Sequence, residues 1–329
     1  MPTSSHAVVI PKRSQELILP GDAPIIPAII ADAGDDALRR FIEFFTAHIH
    51  NDNTRAAYAK AVTQFSTWCE GKSYSLHSLN PVLIAGYIKQ HPGSPPTIKQ
   101  HLAALRALFD FMVTGGALRF NPASSVRGPN YSMKKGKTPV ISAEDARTLL
   151  NSISTDSLTG LRDRALIGVM IYTFARVSAA VGMKVRDYYP NGKRWHIRLH
   201  EKGGKLHDVP AHHNAVDYLD AYIEAAGIKE AKNTPLFRAF EKKGGSITGE
   251  ALSRHAALQM VYRRASAAAI NGHVCNHTFR ATGITTYMMN GGKLEHAQHI
   301  ANHESPRTTK LYDRTQDDIT LDEINRIAI

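Results

Sequence analysis

Between residues 127 and 137 the chain reads Arg-Gly-Pro-Asn-Tyr-Ser-Met-Lys-Lys-Gly-Lys, basic and glycine-bearing, with no apolar period to bury. Such a stretch fits the interior of neither a helix nor a strand, so it divides the chain into two segments that must each build a core of their own. The total of 329 residues also exceeds what one hydrophobic core usually organises. The predicted organisation is an extended N-terminal arm over 1–35, a helical unit over 36–128, a basic linker over 129–140 and a larger unit over 141–329. The arm is inferred from Pro2, Pro11, Pro20, Pro24 and Pro27, which punctuate a segment without periodicity.

The 36–128 segment carries helical patterns and no convincing strand. Tyr58, Val62, Phe65 and Cys69 share one helical face that Asp52 or Asn53 can cap and Gly71 can end. Ser94 and Pro95 open a second helix, whose stripe of Leu102, Leu105, Phe109 and Met112 stops at Gly115-Gly116. In the larger unit, Ser142 to Asp145 resembles a capping box. Lys193 to His200 alternates as a half-buried strand, and Lys202-Gly203-Gly204-Lys205 turns it back into a second strand over Leu206 to Val209. Helices are expected over 214–226, 248–269 and 278–290, with another over 293–303 and a short one carrying Tyr312.

Forty Lys and Arg against 29 Asp and Glu give a formal charge of +11, which favours a polyanionic partner, nucleic acid above all. Arg55, Lys60, Lys99, Gln100 and Arg106 on the helical unit, with Lys134, Lys135 and Lys137 on the linker, are the candidate DNA contacts. Two cysteines, Cys69 and Cys275, fall in different units and suit a reducing setting, cytoplasmic, with nucleoid association if the source is bacterial. The apolar stretch Ala23 to Ala33 is broken by Pro27 and does not read as a signal peptide. The most apolar run, Ala165 to Ala175, is about half of the ~20 residues a membrane span needs and reads as a buried helix.

Four short motifs follow one another along the larger unit: Phe174-Ala-Arg176-Val-Ser178, Glu201-Lys202-Gly-Gly-Lys205, His277-Thr-Phe-Arg280, and His303 with Tyr312 nine residues later. One His-x-x-Arg carries little weight; the order and spacing of the whole set discriminate. In this order the set resembles the tyrosine site-specific recombinases of the phage integrase and Xer-like family, over about 141–315. The resemblance implies a mainly α fold with a small β-sheet or hairpin (α+β), a SAM-like helical core-binding domain and a mixed catalytic domain. It also implies Arg176 and Arg280 as an arginine pair, Lys202 as the hairpin lysine, His277 and His303 as the two histidines, and Tyr312 as the nucleophile. Lys205 is the alternative for the hairpin lysine.

The chemistry agrees with those residue types. Attack on a phosphodiester puts extra charge on its nonbridging oxygens, and two guanidiniums can clamp these by forked hydrogen bonds. A tyrosine with its usual pKa of about 10 needs an acceptor such as His277 for its proton. A lysine at a hairpin tip can protonate the leaving 5′ oxygen. The phosphotyrosyl bond conserves the energy of the broken linkage, so no cofactor, no metal and no ATP-binding loop is expected. His296, His299 and His303 have helical spacing that could suit a metal, but zinc wants a further ligand or an open position, and only His303 has another use. Asp163 is expected in a helix-start or surface ion pair, and His212-His213 on the surface.

One position departs from the family's pattern. Where an acidic residue often stands three after the first arginine and helps hold it, this chain has Ala179, which leaves the task to Asp187 or another carboxylate. The resemblance further implies a clamp on duplex DNA and a homotetramer exchanging strands on paired sites. The segment after the tyrosine, with Ile319, Leu321, Ile324 and Ile327 on one face, would dock on a neighbouring subunit. Integration, excision or resolution of DNA, as in a mobile element, is the expected use. The rivals are topoisomerase-like nicking and resealing by a monomer, and a DNA-binding accessory protein with a decayed site.

Overall fold

The computed structural model describes residues 26–131, 136–201, 204–241 and 246–313, and the chain divides into two compact units at Ser132/Met133. The expected arm up to residue 25, Lys134 and Lys135 of the linker, Lys202, and the docking face from Ile319 to Ile327 lie outside the described residues. Among the described residues, no helix is long and apolar enough to cross a membrane.

The first unit is helical: α1 (Ala28–Ala31), α2 (Asp35–Glu43), a π-helical turn at Phe44–His48, α3 (Asp52–Glu70), α4 (Pro81–Gln90) and α5 (Pro95–Thr114). It begins inside the stretch expected to be an arm. Ile29 and Ile30 are buried in its core, and the Ala28 N–H donates to Glu70 Oε1 at 2.9 Å, because three apolar side chains within five residues outweigh the surrounding prolines. Asn51, not Asp52 or Asn53, caps α3 by accepting from the Thr54 N–H. The unit's core runs from Phe41, Phe44 and Phe45 through Val62, Phe65 and Cys69 to Leu105, Phe109 and Met112. Within it, Tyr87, His91 and His101 are buried together. His91 Nε2 lies 2.9 Å and the Tyr87 hydroxyl 3.2 Å from His101 Nδ1, while His91 Nδ1 accepts from the Gly93 N–H. Burial, before any charge, holds both imidazoles below their usual pKa and pushes the Tyr87 phenol above its own.

The second unit opens with α6 (Ala143–Ser152), where the Ser142 hydroxyl accepts from the Asp145 N–H, and α7 (Leu158–Tyr172), buried along most of its length from Ala165 to Ile171. A short α8 (Val177–Val181) leads into an antiparallel sheet of β1 (Tyr188–Asn191), β2 (Arg194–His200) and β3 (Leu206–Pro210), in that order. Ile197 and Leu199 of β2 face the core, as the alternation predicts. Next come α9 (His213–Ala226) and a two-stranded sheet of β4 (Arg238–Phe240) and β5 (Ile247–Ala251). The helices α10 (Arg254–Ala267), α11 (Asn276–Met289), α12 (Leu294–Ile300) and α13 (Pro306–Lys310) complete the described chain. Residues 248–251, read from the sequence as the start of a helix, are therefore strand: they pair with β4, a tertiary partner that local periodicity does not report.

Asp163 differs from expectation more sharply. It is fully buried in α7, where Arg162 donates to its Oδ1 (2.7 and 3.0 Å) and Arg264 of α10 to its Oδ2 (2.8 and 3.0 Å). Two guanidiniums compensate the desolvation of this one carboxylate, and together they fasten α7 to α10. His212 and His213 are exposed, as expected, and the His212 ring stacks on Tyr172.

Candidate active site

The backbone after α7 shapes the site before any side chain does. Phe174 adopts a left-handed conformation, φ +54°, which is uncommon for a residue with a bulky side chain. There its carbonyl accepts from Nη1 of Arg280 on α11. Gly283, one helical turn beyond Arg280, lies so close to the Ile171 carbonyl and the Phe174 ring that any Cβ would collide with them, so glycine is what lets α11 approach. Arg280 is 1% exposed, and its Nη2 donates to the Ala301 carbonyl at 2.7 Å, tying α11 to the end of α12. Burial first, and the charge of Arg176 next, pull the Arg280 guanidinium down to about 10, against a hydrogen bond and a charge from Tyr312.

Arg176 stands at the N-cap of α8 with its side chain 36% exposed. Its Nη1 donates to Glu201 Oε2 at 2.5 Å, and the Glu201 side chain is only 4% exposed. Asp187, the carboxylate named as a replacement for the acid missing at 179, is engaged elsewhere: it accepts from His200 Nε2 at 3.0 Å and from the Lys184 N–H at 2.8 Å. Glu201 holds the end of β2, its N–H donating to the Lys205 carbonyl (2.8 Å) and its own carbonyl accepting from the Gly204 N–H (3.2 Å). Lys205 is exposed and approaches Glu304 at 3.5 Å. The β2–β3 hairpin is anchored to α12 by His207 Nε2, which donates to the Ile300 carbonyl at 3.0 Å.

Tyr312 lies just past α13, not on it. Its N–H closes a final tight turn onto the Thr309 carbonyl (2.9 Å), and its own carbonyl accepts from Thr285 Oγ1 of α11 (2.9 Å). The preceding carbonyl, of Leu311, accepts from the Gly136 N–H at 3.0 Å, and a Cβ on residue 136 would come within 2.7 Å of that oxygen. The Tyr312 ring is parallel to that of His303, centroids 5.9 Å apart, and packs on a small cluster of Phe174, Ile284, Met288, Ala297 and Ala301. His303 is buried and its Nδ1 shares a hydrogen bond with Thr309 Oγ1 at 2.8 Å. Burial, then Arg280, Arg176 and His277, lower His303 to about 3. His277, in the first turn of α11, is lowered as well, by burial and then by the same two arginines.

Five of the six residues singled out from the sequence, Arg176, His277, Arg280, His303 and Tyr312, therefore act on one another in one region of the second unit; the sixth, Lys202, lies outside the described residues. Both histidines are lowered by burial first and by the two guanidiniums next, and two arginines against the one carboxylate of Glu201 suit the site to an anion. Sequence reasoning gave no role to Glu201, Thr309, Thr285 or the Phe174 carbonyl. For Glu201 the signal was its place immediately before the hairpin lysine; the others are defined only by tertiary contact.

The candidate DNA contacts of the first unit separate into two groups. Arg55 gives Nε and Nη2 to the Ile49 carbonyl (3.2 and 2.9 Å), and Arg106 donates to the carbonyls of Ala123 and Val126, so both hold chain segments against the unit. Both arginines thus satisfy backbone carbonyls within the unit, the Ala123 carbonyl accepting from the Val126 N–H as well. Lys60, Lys99 and Gln100 are exposed, as is Lys137.

Residues 139–318 match the phage integrase family. The tyrosine recombinase XerD of Pseudomonas aeruginosa is 25% identical over 264 residues, 79% of this chain and 86% of that protein. The XerD of Mycobacterium leprae is 30% identical over 215 residues, 64% of this chain and 67% of its own length. Among solved structures, the XerH site-specific recombinase bound to palindromic difH substrate superposes with a TM-score of 0.67 at 20% identity, covering 89% of this chain and 88% of that one. A lambda integrase dimer bound to a COC′ core site gives a TM-score of 0.62 at 18% identity, over 86% and 79%. These structures share the mainly helical fold with small antiparallel sheets.

Proposed function

Because this chain belongs to the phage integrase family and is a tyrosine site-specific recombinase that cleaves and rejoins DNA, we propose that Tyr312 is its nucleophile and that Arg176 and Arg280 clamp the scissile phosphate. The phenol oxygen attacks phosphorus, the bond to the 5′ oxygen breaks, and a 3′-phosphotyrosyl linkage forms. His277 takes the phenol proton, and Lys202 supplies one to the leaving 5′ oxygen. A 5′ hydroxyl from a second strand reverses each step and releases Tyr312, with no net cost in high-energy bonds.

The observation that carries this reading is the geometry that gathers these groups: Arg280 bonds the Phe174 and Ala301 carbonyls beside the cluster on which Tyr312 packs parallel to His303, and Arg176 pairs with Glu201. Burial first, and the two arginines next, hold both histidines below their usual pKa. A DNA phosphate would offset the arginines' part of that lowering at His277, the proton acceptor in this reading. His303, parallel to the Tyr312 ring and bonded to Thr309, fixes the short helix that presents the nucleophile.

Lys60, Lys99, Gln100 and the linker lysines Lys134, Lys135 and Lys137 would lie along the phosphate backbone, giving affinity without sequence information. In this reading the protein acts as a homotetramer on paired sites, its C-terminal segment docked on a neighbour, in the cytoplasm and at the nucleoid if bacterial, on the ends of a mobile element.

Denaturing-gel trapping on nicked duplexes drawn from DNA flanking the gene tests the nucleophile. A 3′-linked adduct should form with the native chain and vanish with Tyr312→Phe; an adduct that persists would rule the assignment out. Transfer between two differently labelled sites, as opposed to resealing of one, separates recombination from nicking by a monomer.

A further inference from the structure

Glu201 combines three properties that ordinary hairpin residues do not share. Its carboxylate is almost fully withdrawn from water, it pairs with an arginine that is itself 36% exposed, and its backbone forms the base of the β2–β3 turn through bonds to Gly204 and Lys205. Withdrawing a carboxylate from water is costly unless a charged partner compensates it. α8 offers no acid of its own, since its sequence is Val-Ser-Ala-Ala-Val with Ala179 facing the core.

We propose that Glu201 is the positioning residue for Arg176. The Glu201 carboxylate takes the Nη1 arm of the guanidinium and leaves the remaining N–H donors for a phosphate oxygen. Because Glu201 also closes the hairpin turn, the direction of Arg176 is set by the hairpin and not by α8, on which the arginine stands. The arginine's contact with phosphate is thereby made conditional on the hairpin being in its place. This rests on the assignment of Arg176 to the scissile phosphate made above.

The test measures single-turnover cleavage and, separately, DNA affinity for the native full-length chain, Glu201→Gln, Glu201→Ala and Arg176→Ala. The substrates are a nicked duplex that the native protein cleaves and the same duplex with one nonbridging oxygen of the scissile phosphate replaced by methyl. On natural DNA, Glu201→Ala should slow cleavage roughly 100-fold, the scale of a misplaced reacting group, with affinity changed less than about threefold. Glu201→Gln, whose amide oxygen can still accept from Arg176, should fall between, and being isosteric it stands in if Glu201→Ala does not fold. On the methylphosphonate, which develops less charge for an arginine to meet, the defects of Glu201→Ala and Arg176→Ala should shrink together.

Cleavage by Glu201→Gln faster than native would mean that the carboxylate only occupies the phosphate's place, and would overturn the proposal. So would a Glu201 defect that stays constant on the methylphosphonate while that of Arg176→Ala shrinks. If Arg176→Ala cleaves natural DNA at the native rate, the phosphate assignment itself fails, and the role of Glu201 with it.

Discussion

Each unit of this protein holds a tyrosine and two histidines whose basicity is suppressed, yet the two sets differ in what surrounds them. In the helical unit Tyr87, His91 and His101 bond to one another in the core, with burial as the leading cause of their shifts. In the second unit Tyr312, His277 and His303 are joined by Arg176 and Arg280, and the two arginines rank directly after burial in lowering both histidines. The residue types are the same; the guanidinium pair is the difference. A buried cluster becomes a candidate reaction site when fixed positive charge is left over for a ligand, not when titratable side chains merely converge.

The sharpest way to break this comparison is to treat both tyrosines alike. Tyr312→Phe should remove the covalent adduct entirely. Tyr87→Phe should leave it intact and cost stability by about 1 kcal/mol, the usual worth of one hydrogen bond, read as a lowered midpoint in urea. An adduct lost in both would mean that the helical cluster takes part in chemistry.

Next in size are the arginines. Arg280→Ala should slow single-turnover cleavage about 10²- to 10³-fold, as loss of a transition-state donor does, and also lower the melting temperature, because the Phe174 and Ala301 carbonyls lose their partner. Arg106→Ala, which takes the arginine donor from the Ala123 and Val126 carbonyls, should lower the melting temperature without changing the rate on saturating DNA. A rate defect in Arg106→Ala as large as that in Arg280→Ala would erase the distinction between the units.

Acid should act on both clusters with the same sign. A histidine whose folded pKa lies below the ordinary 6.5 refuses protons that the unfolded chain accepts. Stability is therefore complete above about pH 6.5 and is lost as pH falls toward the folded value, about 3 for His303. The loss approaches about 1.4 kcal/mol per pH unit for each such group. Melting curves from pH 7.5 to 4.5 should slope less steeply for His303→Gln and for His101→Gln than for the native chain. Superimposable slopes would remove the buried histidines as the cause.

The smallest effects separate lysine from arginine on the helical unit. Lys60→Ala and Lys99→Ala should each weaken DNA binding and reduce the salt dependence of log Kd by about one phosphate contact. Arg55→Ala, whose side chain serves the Ile49 carbonyl, should leave that salt slope unchanged.

These contrasts also explain what the sequence made legible. The striped helices α3 and α5 follow from local periodicity, though Asn51 and not the expected residue caps α3, and the β2–β3 hairpin from alternation around a glycine turn. Arg176, His277, Arg280, His303 and Tyr312 could be named because their motifs have a fixed order. Three features were not legible because a distant partner defines each. β5 needs β4, the buried Asp163 needs Arg264 from 101 residues away, and Glu201 is distinguished from any acid at a strand end only by Arg176. The carbonyl bonds of Arg55 and Arg106 were not legible either, since charge on a helix says nothing of the carbonyls it will meet. Ile29 and Ile30 were hidden by neighbouring prolines, which disfavour long helices but leave room for the single turn of α1.

The bond from the Gly136 N–H to the Leu311 carbonyl has a consequence for anyone who would rebuild this protein. The expected linker over 129–140 is the obvious splice point for a chimaera carrying a foreign recognition unit. A junction placed after residue 136, or one that brings a side chain to that position, would press on the peptide immediately ahead of Tyr312. Such a hybrid would inherit a displaced tyrosine along with its new specificity, whereas a junction upstream of Gly136 keeps the donor that holds the peptide ahead of Tyr312.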